Sequence, residues 1–124
     1  MYKAVNSKNV PEAVGPYSHG AEFGNLVMTS GQLPIDAATG EIPATAAEQA
    51  RVSLENVKKT LEEAGTSLNN VMKTTVFVSD LENFAAINEV YASYFSEPFP
   101  ARSCVEVARL PKDVFVEIEA IAVK

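Results

Sequence analysis

The chain has 124 residues, 47% of them hydrophobic, and ten Lys and Arg against sixteen Asp and Glu give a net charge of −6. That length fits one domain spanning 1–124, and the acidic balance argues against a binder of nucleic-acid backbone, which needs a basic surface. No apolar run approaches the ~20 residues of a membrane span, the first six residues lack the apolar core of a secretory signal, and a single cysteine with a single histidine excludes an internal disulfide and the usual zinc ligand sets, and suits a reducing, cytoplasmic compartment.

Residues 2–5 predict a short strand. Pro11, Gly15 and Pro16 punctuate an irregular loop over 10–17, with Tyr17, Ser18 and His19 after it. Residues 21–23 and 26–30 flank Gly24-Asn25, a two-residue hairpin signal. Gly31-Gln32-Leu33-Pro34 then leaves the strand, and 36–41 is a polar loop. Thr45 and Glu48 make a capping box. Ala47, Ala50, Leu54, Val57, Leu61 and Ala64 recur at helical spacing up to a glycine stop at Gly65. The β-branched run 71–78 predicts a strand. Asp80 caps a second helix whose buried face is Phe84, Ile87, Tyr91 and Phe95, and Asn88 borders that face, one turn from both Phe84 and Tyr91.

Two strands close the chain. The first, 101–107, is entered through Pro100, which can open a strand but cannot donate to a ladder from inside one. The second is the long β-branched run 114–123, reached through a turn at 109–113. The simplest pairing is an antiparallel hairpin with its register set by matching apolar with apolar. Val107 then faces Val114, Val105 faces Val116 and Ser103 faces Ile118 on the core side. The same register sets Cys104 opposite Glu117 and Arg102 opposite Glu119. An arginine, a thiol and two carboxylates would share one patch, either as a cross-strand salt bridge on a wet face or as an anion-binding site.

Two amphipathic helices can cover only one face of a mixed sheet, an α+β layout. The other face, with Val27, Thr29, Thr75, Phe77, Arg102, Cys104, Glu117 and Glu119 as its candidate residues, must meet water or another copy of the chain, which predicts an oligomer.

Among these residues, Arg102 offers a permanent cation whose fork fits a carboxylate bidentately. Glu117 reads as a general base that positions water or as a cross-strand partner. Cys104 has no identifiable base beside it and reads as a small wall residue rather than a nucleophile. Gly31 suits close backbone approach to a ligand or a strand exit. His19 receives no role.

Gly15-Pro16-Tyr17-Ser18, Ser30-Gly31-Gln32, Thr39-Gly40-Glu41, the helix from Gln49-Ala50-Arg51 to Gly65, the stretch Pro100-Ala101-Arg102-Ser103-Cys104-Val105-Glu106-Val107 and Glu117-Ile118-Glu119-Ala120 together resemble the RidA (YjgF) family of reactive-intermediate imine deaminases, in its arginine-bearing branch. The resemblance runs the whole length of the chain and implies a chorismate-mutase-like α+β fold, a six-stranded mixed sheet with two helices on one face, assembled as a homotrimer around a central barrel with pockets between subunits. It implies hydrolysis of 2-imino acids, such as 2-iminopropanoate and 2-iminobutanoate, to 2-oxo acids and ammonia without metal or cofactor. Carried over to this sequence, Arg102 grips the substrate carboxylate, Glu117 and the region of Cys104 hold the attacking water, and Tyr17, Ser30, Gly31 and Asn88 line the pocket, partly from the neighbouring subunit. His19 stands where many members have glutamine. The competing readings are a non-catalytic regulatory trimer that senses 2-oxo acids with the same arginine, and a translation inhibitor or ribonuclease, against which the acidic balance argues.

Overall fold

The computed structural model describes residues 1–124. Its longest element, helix α1 (Ala46–Glu63), begins as the sequence indicates: the Thr45 side chain accepts the Glu48 N–H at 3.2 Å. It ends where Gly65 takes a left-handed φ of +87° and Thr66 donates back to the Leu61 carbonyl, the glycine-terminated stop expected there. The six strands are β1 (Lys3–Val5), β2 (Gly20–Phe23), β3 (Leu26–Thr29), β4 (Val71–Val78), β5 (Ala101–Glu106) and β6 (Val116–Val123). The second helix, α2, spans Phe84–Tyr94. Asp80 caps a 3-10 turn at Leu81–Asn83 that leads into α2, accepting the Glu82 N–H at 2.9 Å.

The strands form one sheet in the order β1-β2-β3-β6-β4-β5. The β2–β3 hairpin turns at Gly24-Asn25, with Phe23 opposite Leu26. The closing hairpin expected between β5 and β6 does not form. Because α2 carries the chain over the sheet between β4 and β5, those strands pair in parallel, as a helical crossover requires. The chain then passes β4 and inserts β6 between β3 and β4, antiparallel to both. This leaves β5 at the edge, separated from β6 by β4.

That topology reverses the predicted faces of β5. Thr74, Val76 and Val78 of β4 are buried beneath the helices with Ala120, Ile118 and Val116, their partners on β6. Across the other side of β4, the same three residues pair with Arg102, Cys104 and Glu106. Arg102 and Cys104 therefore lie on the helix side, and Ser103 and Val105 on the open side. Glu117 and Glu119 pair with Phe77 and Thr75 and lie on the open side. The predicted patch of arginine, thiol and two carboxylates is thus split by the sheet itself. Val27 and Thr29 are also corrected: both are buried, Val27 opposite Ala122, so they face the helices. Thr75 and Phe77 stay on the open face as expected, joined there by Phe23, Leu26, Met28, Val105 and Ile121, with Phe23, Leu26, Met28 and Val105 exposed.

The core lies between sheet and helices. Ala50, Leu54, Val57 and Leu61 of α1 and Ile87 and Tyr91 of α2 meet Val27, Val76, Val78, Val116, Ile118 and Ala122. At about 25 cal/mol per Å² of apolar surface, each fully buried aliphatic side chain there contributes about 1.5–3 kcal/mol against chain entropy. No helix is long and apolar enough to cross a membrane.

Candidate active site

The site residues predicted from sequence fall into two groups, one on each side of the sheet. The first surrounds Arg102. Its Nη1 donates to Asn88 Oδ1 at 2.7 Å, and its Cζ lies 4.8 Å from the centre of the Tyr91 ring and 5.5 Å from that of Phe84. Phe84, Asn88 and Tyr91 form one stripe on α2, because residues three and four apart share a helix face. Arg102 makes no ion pair; those present are Glu22 with Lys3 and Lys124, Glu48 with Arg51, and Asp113 with Arg109. The cross-strand salt bridge to Glu119 is therefore absent. Cation–π contact and one amide orient the guanidinium without neutralising it, and most of its N–H fork is free. An open concavity of about 420 Å³ lies against it, walled by Asn88, Tyr91, Ala92, Phe99 and Pro100.

Cys104 is half-buried beside this group and packs against the core. Burial pushes its thiol above the usual range, and the nearby Arg102 charge offsets that only in part. A thiol kept protonated is a poor nucleophile.

The second group surrounds Glu117. The half-buried Glu117 side chain lies across Gly31, so close that a Cβ there would overlap Oε2 and stand 2.8 Å from Cδ. Glycine at 31 thus lets the Glu117 side chain lie where it does, since any Cβ there would make the carboxylate swing aside, a reason the sequence did not disclose. The next residue fixes this arrangement. Gln32 bridges to Ile118 through its backbone, donating at 2.8 Å and accepting at 3.3 Å, and its side chain donates to the Ser30 carbonyl at 3.0 Å. From the other side α1 holds the loop after Gly31, with Asn56 Nδ2 donating to the Leu33 and Ile35 carbonyls, both at 3.0 Å. Burial, then the Glu119 charge two residues along the same face, pushes the Glu117 carboxyl above its usual range. Such a carboxyl exchanges a proton nearer neutrality than a solvated one.

Ser30 and Tyr17 lie on the chain that leads into Gly31. Ser30 Oγ donates to the Ser18 carbonyl at 2.6 Å, and the exposed Tyr17 ring lies beside Gly15. A concavity of about 410 Å³ runs past Tyr17, Ser18, Thr29 and Ser30. His19, given no role from sequence, is the strap that holds this loop. Buried, it accepts the Ser7 N–H at Nδ1 (3.0 Å) and has Nε2 2.8 Å from the Pro11 carbonyl. A donor at Nδ1 assigns the proton to Nε2, so the ring is neutral and bridges 7 to 11. Tyr91 and Phe84, read from sequence as core alone, also support Arg102. Their spacing around Asn88 was the signal, and it lacked only the knowledge of which strand α2 covers.

Asn88 and Cys104 thus join Arg102 and Gly31 joins Glu117, while Tyr17 and Ser30 line a concavity that contains neither Arg102 nor Glu117. The concavities of about 420 and 410 Å³ share no lining residue. A larger one, of about 570 Å³, lies between 68–72 and 95–100 and holds Glu97 as its only ionisable side chain. No group of three His, Cys, Asp or Glu side chains could hold a metal ion.

The family model described as Endoribonuclease L-PSP matches residues 7–124. The 2-iminobutanoate/2-iminopropanoate deaminase of Escherichia coli K12 is 55% identical over 127 aligned positions, covering 100% of this chain and 99% of that protein. Among solved structures, the E. coli YjgF gene product superposes with a TM-score of 0.94 at 52% identity, covering 98% of both chains. E. coli TdcF with bound serine also gives 0.94, at 51% identity and the same coverage. The fold expected from the sequence, a six-stranded mixed sheet with two helices on one face, is the fold of those structures. With the sequence matched from residue 7 to 124 and the fold shared across almost its whole length, the chain belongs to the RidA (YjgF) family.

Proposed function

We propose that this protein hydrolyses reactive 2-imino acids, among them 2-iminopropanoate and 2-iminobutanoate, to 2-oxo acids and ammonia, in the cytoplasm, as a homotrimer whose pockets lie at the subunit boundaries. The observation that carries this reading is the division of charge just described. Arg102 is a guanidinium without a carboxylate, and Glu117 is a half-buried carboxylate without a cation. They lie on opposite faces of one sheet, so the two halves complete one site only when the Arg102 edge of one protomer meets the Glu117 face of the next. The apolar open face gives that meeting its driving force: Phe23, Met28 and Val105 are exposed there, and a second copy would remove them from water.

The chemistry follows from the groups present. The Arg102 fork takes the substrate carboxylate. Glu117 holds a water and draws a proton from it as the oxygen attacks the imine carbon. The resulting tetrahedral intermediate carries both hydroxyl and amine. The imine nitrogen enters protonated; Glu117, now carrying the water's proton, gives it to the amine, and as the carbon–nitrogen bond breaks to release ammonia the hydroxyl proton passes back to the Glu117 carboxylate, leaving the 2-oxo acid. An imine carbon is already electrophilic, so the reaction needs position and proton transfer rather than metal or cofactor. Cys104 stands as a wall of the pocket, and Tyr17, Ser30, Gly31 and Asn88 line it.

The test is to generate 2-aminoacrylate in situ and follow imine loss and ammonia release with and without the protein. Acceleration is expected. Binding of 2-oxo acids without acceleration would mark a sensor instead. RNA cleavage by the protein that is lost in Arg102→Ala would favour the ribonuclease named in the family description, whereas cleavage that persists in that variant would mark a contaminant. Assembly is tested by sedimentation on dilution: mass and activity should fall together, and a stable monomer of full activity would overturn the shared pocket.

A further inference from the structure

A bidentate grip requires a guanidinium held in one orientation, yet Arg102 is an exposed side chain on an edge strand. Of the two rings that support it, Tyr91 is held at its far end. Its hydroxyl lies 2.7 Å from Thr74 Oγ1, and Thr74, 1% exposed, stands directly across from Arg102 in the β4–β5 pairing. Phe95 packs against the same ring, centroids 4.7 Å apart and planes tilted by 39°. The ring therefore runs from α2 to β4 beneath the guanidinium and is fixed at both ends.

Packing alone does not call for this arrangement. A phenylalanine and a valine of nearly the same shape would fill the space, and valine suits a central strand at least as well. Two buried hydroxyls that satisfy only one another add little to stability over such an apolar pair. What the pair does provide is a fixed ring at the one place where the cation must not swing.

We propose that the Thr74–Tyr91 hydrogen bond is a positioning device: it locks the Tyr91 ring as the floor under Arg102 and so presents the guanidinium fork to the substrate carboxylate. The identity of that substrate rests on the deaminase reading above, but the order of the guanidinium can be measured without turnover.

The experiment compares wild type with Thr74→Ser, Thr74→Val, Tyr91→Phe and Tyr91→Leu by two readouts. Relaxation of the Arg102 Nε–H in a 15N-labelled sample should show equal order in wild type and Thr74→Ser, less in Thr74→Val and Tyr91→Phe, and least in Tyr91→Leu. With the imine substrate, KM should rise about threefold to tenfold in Thr74→Val and Tyr91→Phe, with kcat within about twofold, the signature of weakened carboxylate binding. Thr74→Ser should behave as wild type. Unchanged Arg102 order in folded Thr74→Val and Tyr91→Phe would overturn the proposal, as would a loss in Thr74→Ser equal to that in Thr74→Val, which would indicate packing rather than the hydrogen bond. Should Thr74→Val fail to fold, Tyr91→Phe keeps ring and volume and carries the test. A wild type without imine activity would defeat the deaminase reading, while Arg102 order would still decide the positioning role.

Discussion

On the helix side of the sheet, Arg102 is held by an amide and two rings at an exposed edge. On the open side, Glu117 is half-buried across a glycine, with a second carboxylate as its charged neighbour. Elsewhere the chain readily pairs charges: Glu22 sits 3.4 Å from Lys3 and 2.9 Å from Lys124. The two site groups are unlike that pair. Each keeps one sign of charge oriented and uncompensated, which costs stability and leaves the charge available to a ligand. The difference teaches that the site is built as two unfinished halves, and removing either half should therefore affect function far more than folding.

The largest expected effect is at Glu117. Glu117→Gln keeps the shape and removes the proton shuttle, so turnover should fall by about 10² to 10⁴-fold. Stability should move the other way. Because the folded protein holds the Glu117 carboxyl above its unfolded value, it binds more protons than the unfolded chain between those two values, and stability falls as pH rises through that window. The penalty is complete once the pH stands above both values. Glu117→Gln should therefore raise Tm by about 1–3 °C at pH 7, with no gain below the carboxylate range, as a thermal melt series in pH would record. In wild type the acid limb of the kcat/KM profile should lie above the ordinary glutamate range. A less stable Glu117→Gln variant with full turnover would remove the carboxylate half of the comparison.

Arg102→Ala should lose about 10² to 10³-fold in kcat/KM, the scale of truncating one partner of a charge pair, while sedimentation still reports the assembled protein. Arg102→Lys should recover little, since a point charge cannot replace the fork. Near-wild-type turnover in Arg102→Ala would remove the cationic half.

Gly31→Ala sharpens the comparison without touching either charge. The added Cβ would overlap Glu117 Oε2, so the carboxylate must swing aside. Activity should drop about tenfold or more, the order of loss expected from misplacing a catalytic group by about 1 Å, with Tm changed little. Equal activity would mean that the position of Glu117 is not critical.

The smallest effect is expected at Cys104. Cys104→Ser should keep activity within about threefold, because a thiol raised by burial does not act as a thiolate nucleophile. A covalent adduct on Cys104 found by mass spectrometry during turnover would overturn the non-covalent mechanism.

Local signals in the sequence determined the elements. The Thr45–Glu48 cap, the Gly65 stop and the Gly24-Asn25 turn act between residues only a few positions apart, and they produced α1 and the β2–β3 hairpin where expected. The periodicity of α2 even placed Asn88 beside Phe84 and Tyr91. Single residues also carried part of the site, since an arginine fork and a carboxylate keep their chemistry in any fold.

Which strand lies beside which was decided only in three dimensions. Matching apolar residues favoured β5 against β6, because pairing energy depends on side-chain fit and Val105 and Val107 match the valines at the start of the last strand run. The helical crossover α2 instead made β5 parallel to β4 and sent β6 into the gap between β3 and β4. With an alternation period of two, that choice of neighbour decided every face at once, placing Arg102 under α2 and Glu117 on the opposite side. The close approach of Glu117 to Gly31, 86 positions away in sequence, and the strap of His19 to Ser7 and Pro11 across a folded loop are contacts that no local pattern encodes.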